Sequence, residues 1–224
     1  MNRKTFVKGL LVPFILLNNP IILNPKKENM KKNIAILIFN DAEVLDFAGP
    51  FEVFSVASQL QNFELFNVFT IAKTKNIVTA VNGLLVSPMY SFNDHPAIDI
   101  LIISGGQGTR KVIEDKEILI WVKNTYEKSE ITLSICSGAR ILGKLGLLDG
   151  KPYCTHQGVY EHMKEIVPTG KPHPEKRFIQ SAENLFTSGR ISAGIDLSVY
   201  ILEKLQGSDI SHATAEYMEY NLIK

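Results

Sequence analysis

Ile131-Thr132-Leu133-Ser134-Ile135-Cys136-Ser137-Gly138-Ala139-Arg140 changes period at its cysteine. Ile131, Leu133 and Ile135 alternate as the buried side of a strand does, and beyond them Ile141, Leu142, Leu145 and Leu148 fall at helical spacing. The stretch predicts a strand that ends at Cys136 and becomes a helix within one or two residues. A side chain at such a junction is lifted out of the sheet beside unpaired backbone N–H groups. Those groups and the helix dipole favour negative charge, which predicts a thiol that ionises readily. Ser-x-Cys-x-Gly is a cysteine version of the nucleophile elbow, with small flanking residues that permit a sharp turn. The same letters also suit a buried structural cysteine acting as a small hydrophobe.

Moving outward, the neighbouring segments repeat the strand-then-helix rhythm. Asn33–Phe39 is an apolar run of strand length, suited to a sheet covered on both faces. A polar turn follows, and Pro50 is placed for the first turn of a helix continuing through Phe51, Val53, Phe54, Val56 and Ala57. Asp46 then closes the first strand-to-helix loop. Leu65–Ala72 reads as a strand, and Asn82-Gly83 between apolar runs reads as a hairpin turn. Asp99–Ile103 is another buried strand, ending in Ser104-Gly105-Gly106-Gln107-Gly108, with an amphipathic helix predicted over Arg110–Lys128. Tyr153–His156 reads as a short extended segment, Tyr160–Val167 as a helix, Arg177–Gln180 and Asn184–Thr187 as strands, and Ile191–Leu205 and Ile210–Met218 as helices. Alternating strands and helices predict an α/β fold with a doubly wound, mainly parallel sheet.

Several functional residues follow from that edge. In open α/β sheets ligands bind outside the carboxyl ends of the strands, where Cys136, Asp46 and the glycine loop all fall. The glycine loop lacks the later glycine of a dinucleotide fingerprint and the Lys-Ser/Thr of a nucleotide loop. It is either a tight turn or the source of an N–H that stabilises an oxyanion. His156, twenty residues after Cys136, is placed on an adjacent strand of the same sheet, where it would pair with or relay a proton to the thiol. Asp46 beside a thiolate would have a raised pKa and serve as general acid, with Glu43 the competing acid.

Bulk properties narrow the field. The chain has 224 residues, 45% hydrophobic and 21% charged, which is a globular composition. A net charge of +1 gives no basis for a nucleic-acid or acidic-lipid partner. Two cysteines, Cys136 and Cys154, allow at most one disulfide and lack zinc-site spacing. Arg3, Lys4 and Lys8 precede the apolar run Gly9–Leu17, the outline of a secretory signal without a small-x-small cleavage site. The run, broken by Pro13, Asn18, Asn19 and Pro20, is too short for a stable membrane span. Residues 1–30 are therefore set outside the fold, as an exported (periplasmic) protein's signal or as a leader before a cytoplasmic start at Met30. Residues 31–224 form the domain.

Taken together, Asn33–Phe39, Leu45–Phe54, Ser104–Gly108, Ile135–Ala139, Cys154-Thr155-His156, Thr187–Asp196 and Glu219-Tyr220 resemble the ThiJ/PfpI superfamily, and the last two resemble the branch holding isonitrile hydratase and the amidotransferase-like domain of AraC-type regulators. The resemblance implies a flavodoxin-like sandwich, Cys136 as nucleophile, Asp46 as partner acid and His156 near the cysteine. It also implies an oxyanion hole from the N–H groups of Gly106 and Ser137, a homodimer, and no metal or organic cofactor. Gly105 and Arg140 complete the substrate-binding set. Ser104, Arg140, Cys154, Gln157 and Arg190 depart from the family's usual residues, and Arg140 and Gln157 are placed to line the pocket. The leading reading is a cysteine-dependent hydratase or hydrolase acting on a small electrophile such as an isonitrile. The alternatives are a small-molecule or oxidative-stress sensor using the same cysteine, and a glutaminase suggested by His173-Pro174-Glu175.

Overall fold

A computed structural model describes residues 31–221; the signal-like segment 1–30 lies outside them. Strand β1 (Lys32–Leu37) leads into helix α1 (Val44–Leu60) and β2 (Phe66–Ala72). The two-residue strands β3 (Val78–Thr79) and β4 (Leu85–Val86) pair antiparallel, and β5 (Tyr90–Ser91) follows. Then come β6 (Ile100–Ile103), α2 (Thr109–Val112), α3 (Lys116–Tyr126), β7 (Ile131–Ser134), a 3-10 turn at Cys136–Gly138, and α4 (Ala139–Lys144). The chain continues through β8 (Pro152–Tyr153), α5 (Tyr160–Ile166), β9 (Lys171–Pro172), β10 (Phe178–Ala182), β11 (Leu185–Ser188), α6 (Ala193–Gln206) and α7 (Ser208–Tyr217).

The central sheet runs β10-β11-β7-β6-β1-β2-β5, and every pairing in it is parallel except β10 against β11. Its five inner strands, β2-β1-β6-β7-β11, have the order 2-1-3-4-5 of flavodoxin-like sheets, with the switch point between β1 and β6. Ile34, Ile36, Ile100, Leu101, Ile102 and Leu133 are fully buried, because helices cover both faces. Helices α1, α6 and α7 pack together, and α2, α4 and α5 pack together. Right-handed crossovers put the two groups on opposite faces.

Three expectations about elements change. Helix α1 begins at Val44, after an extended Glu43, so Pro50 lies inside the helix rather than in its first turn. Asp46 is therefore a first-turn helix residue and not the end of a loop. The helix predicted over Arg110–Lys128 is two helices: the Asp115 side chain accepts from the N–H groups of Glu117 and Ile118 and starts α3 afresh. The Asn82-Gly83 hairpin is present but small; both residues take positive φ, at 62° and 85°, and only two residue pairs flank the turn.

Candidate active site

The sheet edge at the carboxyl ends of β1, β6 and β7 carries the site. After β7 the chain turns at Cys136, whose φ of 54° is in the left-handed region that L-residues adopt only when surroundings enforce it. The enforcing contacts are visible. The hydroxyl of Thr155 donates to the Cys136 carbonyl at 2.9 Å, and the Gly138 N–H donates to the Ile135 carbonyl at 2.8 Å. The loop after β6 crosses directly over this turn and can do so only as glycine. A Cβ at Gly105 would stand 2.6 Å from both Asp46 Oδ2 and the Ser137 N; one at Gly106, where φ is 115°, would meet the Asp41 carbonyl oxygen at 2.3 Å.

Asp46 is completely buried beneath this turn. Its Oδ2 accepts from the Gly105 N–H at 3.1 Å, while Oδ1 makes no regular hydrogen bond. The Cys136 thiol lies beside the carboxyl and interacts with it. Burial pushes the Asp46 pKa up to about 7; the thiol and the Gly105 N–H oppose this, and the Glu43 charge adds to it. The expected direction is present, but desolvation rather than a neighbouring thiolate is its main cause. The readily ionised thiol expected at Cys136 is not found. Burial and the Asp46 charge push it well above the ordinary cysteine range, against the smaller pull of the Ser137 N–H and hydroxyl. Helix α4 has only six residues, so the dipole invoked from sequence is short. Cys136 and Asp46 thus titrate as one buried pair that strongly resists losing its second proton.

The cavity above the pair has a volume of about 290 Å³, and Cys136, Ser137, Gly106, Arg140 and His156 all line it. Gly105 sits one residue behind the wall. The Gly106 N–H, an expected oxyanion donor, donates instead to Ser137 Oγ at 2.8 Å, and that hydroxyl is within 2.9 Å of the Gly106 carbonyl. His156 reaches the cavity by a different route from the one expected. Strand β8 pairs with β9 in a separate two-stranded sheet, not with the central one. His156 instead caps a 3-10 turn, accepting from the Gly158 N–H at 3.1 Å. Gln157 points away, into a neighbouring hollow with Tyr160 and Arg190. Cys136 and Cys154 are both free, and Cys154 donates to the His173 carbonyl. His173 and Glu175 pair with each other at 2.9 Å and do not line the Cys136 cavity, which leaves the glutaminase reading without a geometric basis.

Three residues enter the site that sequence reasoning gave no role there: Arg110 lines the cavity, and Arg140 is held by His162 and Thr109. Glu43, the competing acid, lines the cavity as well, whereas the buried Asp46 lies behind Cys136. Arg110 and Thr109 follow the glycine loop at the functional edge, so their position carried a signal. His162 lies on α5, and nothing local marks it.

Among the described residues, no cluster of His, Cys, Asp or Glu is arranged to hold a metal ion, and no helix is long and apolar enough to cross a membrane. Similarity to known proteins extends over most of the chain. The chain is 30% identical over 191 residues to isonitrile hydratase of Pseudomonas putida, spanning 85% of this chain and 79% of that protein. It is 24% identical over 200 residues to the HTH-type transcriptional regulator GbdR of Pseudomonas aeruginosa, covering 89% of this chain but only 54% of the regulator. A crystal structure of a ThiJ/PfpI family protein from Pseudomonas syringae superimposes with a TM-score of 0.77 at 24% identity, over 89% of this chain and 80% of that one. The DJ-1/PfpI family model matches residues 32–204, and the chain belongs to that family.

Proposed function

We propose that the chain is a cofactor-free cysteine enzyme that adds water across a small electrophilic substrate of the isonitrile class. The observation that carries this reading is Cys136 lining a cavity of about 290 Å³ with the buried Asp46 carboxyl beside its thiol. Such a pair holds both a nucleophile and a proton in a water-poor site at neutral pH. The 30% identity to an isonitrile hydratase supports the choice of substrate class.

The steps follow from the groups present. The Cys136 sulfur bonds to the terminal isonitrile carbon as the proton shared by the pair passes to that same carbon. The product is a thioimidate, N=CH–S. Water then adds to this carbon, the C–S bond breaks, and nitrogen takes a proton, leaving an N-substituted formamide and the original pair. Asp46, with a pKa about 7, is suited to giving and recovering the proton. The Ser137 N–H and hydroxyl stabilise the sulfur when it is negative. The Gly106 N–H joins as a donor only when the Ser137 hydroxyl turns away from it.

Turnover of a panel of isonitriles and glyoxals by the wild type and by Cys136→Ala tests the proposal. Hydration by the wild type and none by the variant is expected; no turnover by the wild type, or equal turnover by both, ends it. A sensor role is the second reading, favoured by the similarity to GbdR. In that case intact-mass spectrometry after mild peroxide gives an adduct confined to Cys136 in a protein without turnover.

A further inference from the structure

Arg140 is 3% exposed, and no carboxylate among the described residues lies within ion-pairing distance of it. Its Nε donates to His162 Nδ1 and its Nη1 to the Thr109 hydroxyl, each at 3.0 Å. Neither acceptor compensates the charge. Thr109 is neutral, and burial together with Arg140 and Arg110 holds His162 below the usual histidine range, in its uncharged form. Nη2 has no protein partner among the described residues, yet it is not sealed off, because the residue lines the Cys136 cavity. Arg110, on α2, lines the same cavity and has no ion pair among the described residues either. Glu43 is on that wall too, but pairs with neither guanidinium.

Two like charges facing one small cavity repel each other, and burial strips one of them of water. A compact anion entering the cavity relieves both costs at once. Arg140 is also fixed in place relative to the thiol. Its partner Thr109 donates to the Gly106 carbonyl, and Gly106 is bonded in turn to Ser137, next to Cys136. An anion bridging Nη2 of Arg140 and the guanidinium of Arg110 would therefore sit at a set place beside the sulfur.

From this we infer that the cavity takes small molecules carrying a carboxylate, which Arg140 and Arg110 hold while the reactive carbon rests on Cys136. The inference rests on the reading of the cavity as a substrate site, and narrows that reading to anionic electrophiles.

Competing alkylation tests it without requiring turnover. Iodoacetate and iodoacetamide both lose iodide to the same Cys136 thiolate, so the ratio of their rates is independent of how much thiolate is present. The ratio at Cys136, read by peptide mass spectrometry at low salt, is expected to exceed that of a neutral cysteinyl peptide by about tenfold. Arg110→Gln, at an exposed position, is expected to lower the ratio several-fold, and 0.5 M salt to lower it in the wild type. Arg140→Gln is expected to lower it further; should that variant not fold, Arg110→Gln decides alone. A wild-type ratio equal to the peptide's, or one that Arg110→Gln leaves unchanged, overturns the inference. Isocyanoacetate and its methyl ester separate the two proposals. A raised ratio with neither compound hydrated sinks the hydratase reading and keeps the anion site. Equal hydration of both with an unraised ratio keeps the hydratase and removes the anion site.

Discussion

Replacing Asp46 by Asn should stabilise the protein at pH 8 and have little effect at pH 4. The carboxyl is completely buried, and its pKa is pushed up from 3.8 to about 7. Between those values the unfolded chain has released a proton that the native state keeps. Stability therefore falls as pH rises from about 4 to 7 and levels off above. At about 1.4 kcal/mol per pKa unit, the full loss is about 4 kcal/mol, of which about 2–3 kcal/mol falls between pH 5 and 8. Asn is nearly isosteric, its amide oxygen can still accept from the Gly105 N–H, and it carries no charge to bury. Urea denaturation of wild type and Asp46→Asn from pH 5 to 8 reads the effect directly. The stability gap should open with pH in favour of the variant, by about 2–3 kcal/mol, while the m-value stays constant. A gap that does not vary with pH, or a variant less stable at pH 8, would refute the claim that Asp46 is held protonated by burial. The same substitution removes the charge that helps keep the Cys136 thiol up, so thiolate absorbance should appear at lower pH in the variant. Hydration should nevertheless be lost, because the proton donor is gone.

Other perturbations separate scaffold from chemistry. Gly106→Ala places a Cβ 2.3 Å from the Asp41 carbonyl oxygen and 2.4 Å from the Glu43 nitrogen, both backbone atoms, so it should cost about 3 kcal/mol or more in urea melts. Gly150→Ala, also at positive φ but with nothing within 4 Å, should cost only about 1–2 kcal/mol. Thr155→Val removes the hydroxyl that holds the Cys136 carbonyl; it should lower stability by about 1–3 kcal/mol and lower kcat with little change in KM. Cys154→Ala should leave turnover intact, since its buried thiol faces the His173 carbonyl and does not line the cavity; an activity assay checks this.

The periodicity of single segments determined a good deal. Unbroken apolar runs at Asn33–Phe39 and Asp99–Ile103 can be satisfied only by burial on both faces, so a parallel sheet wrapped by helices follows. The position of Cys136 at the end of a strand, and its sharp turn, were likewise legible, because strand and helix periods are local properties of the chain. The start of α1 was not: Pro50 is compatible with a first turn, and only packing against the rest of the fold extends the helix back to Val44. His156 was placed near the cysteine for the wrong reason, since strand order is a long-range property and β8 belongs to another sheet. Thiol acidity was misread because a local motif reports the backbone around a sulfur but not how much water reaches it. What tertiary structure alone decided is which charges meet. Arg110 and Arg140 come from two helices and share no spacing in sequence, yet they line one cavity without an ion pair among the described residues, and His162 from a third helix holds Arg140 in place. Coulomb and desolvation energies depend on distance and burial in space, and those are set only when the helices dock.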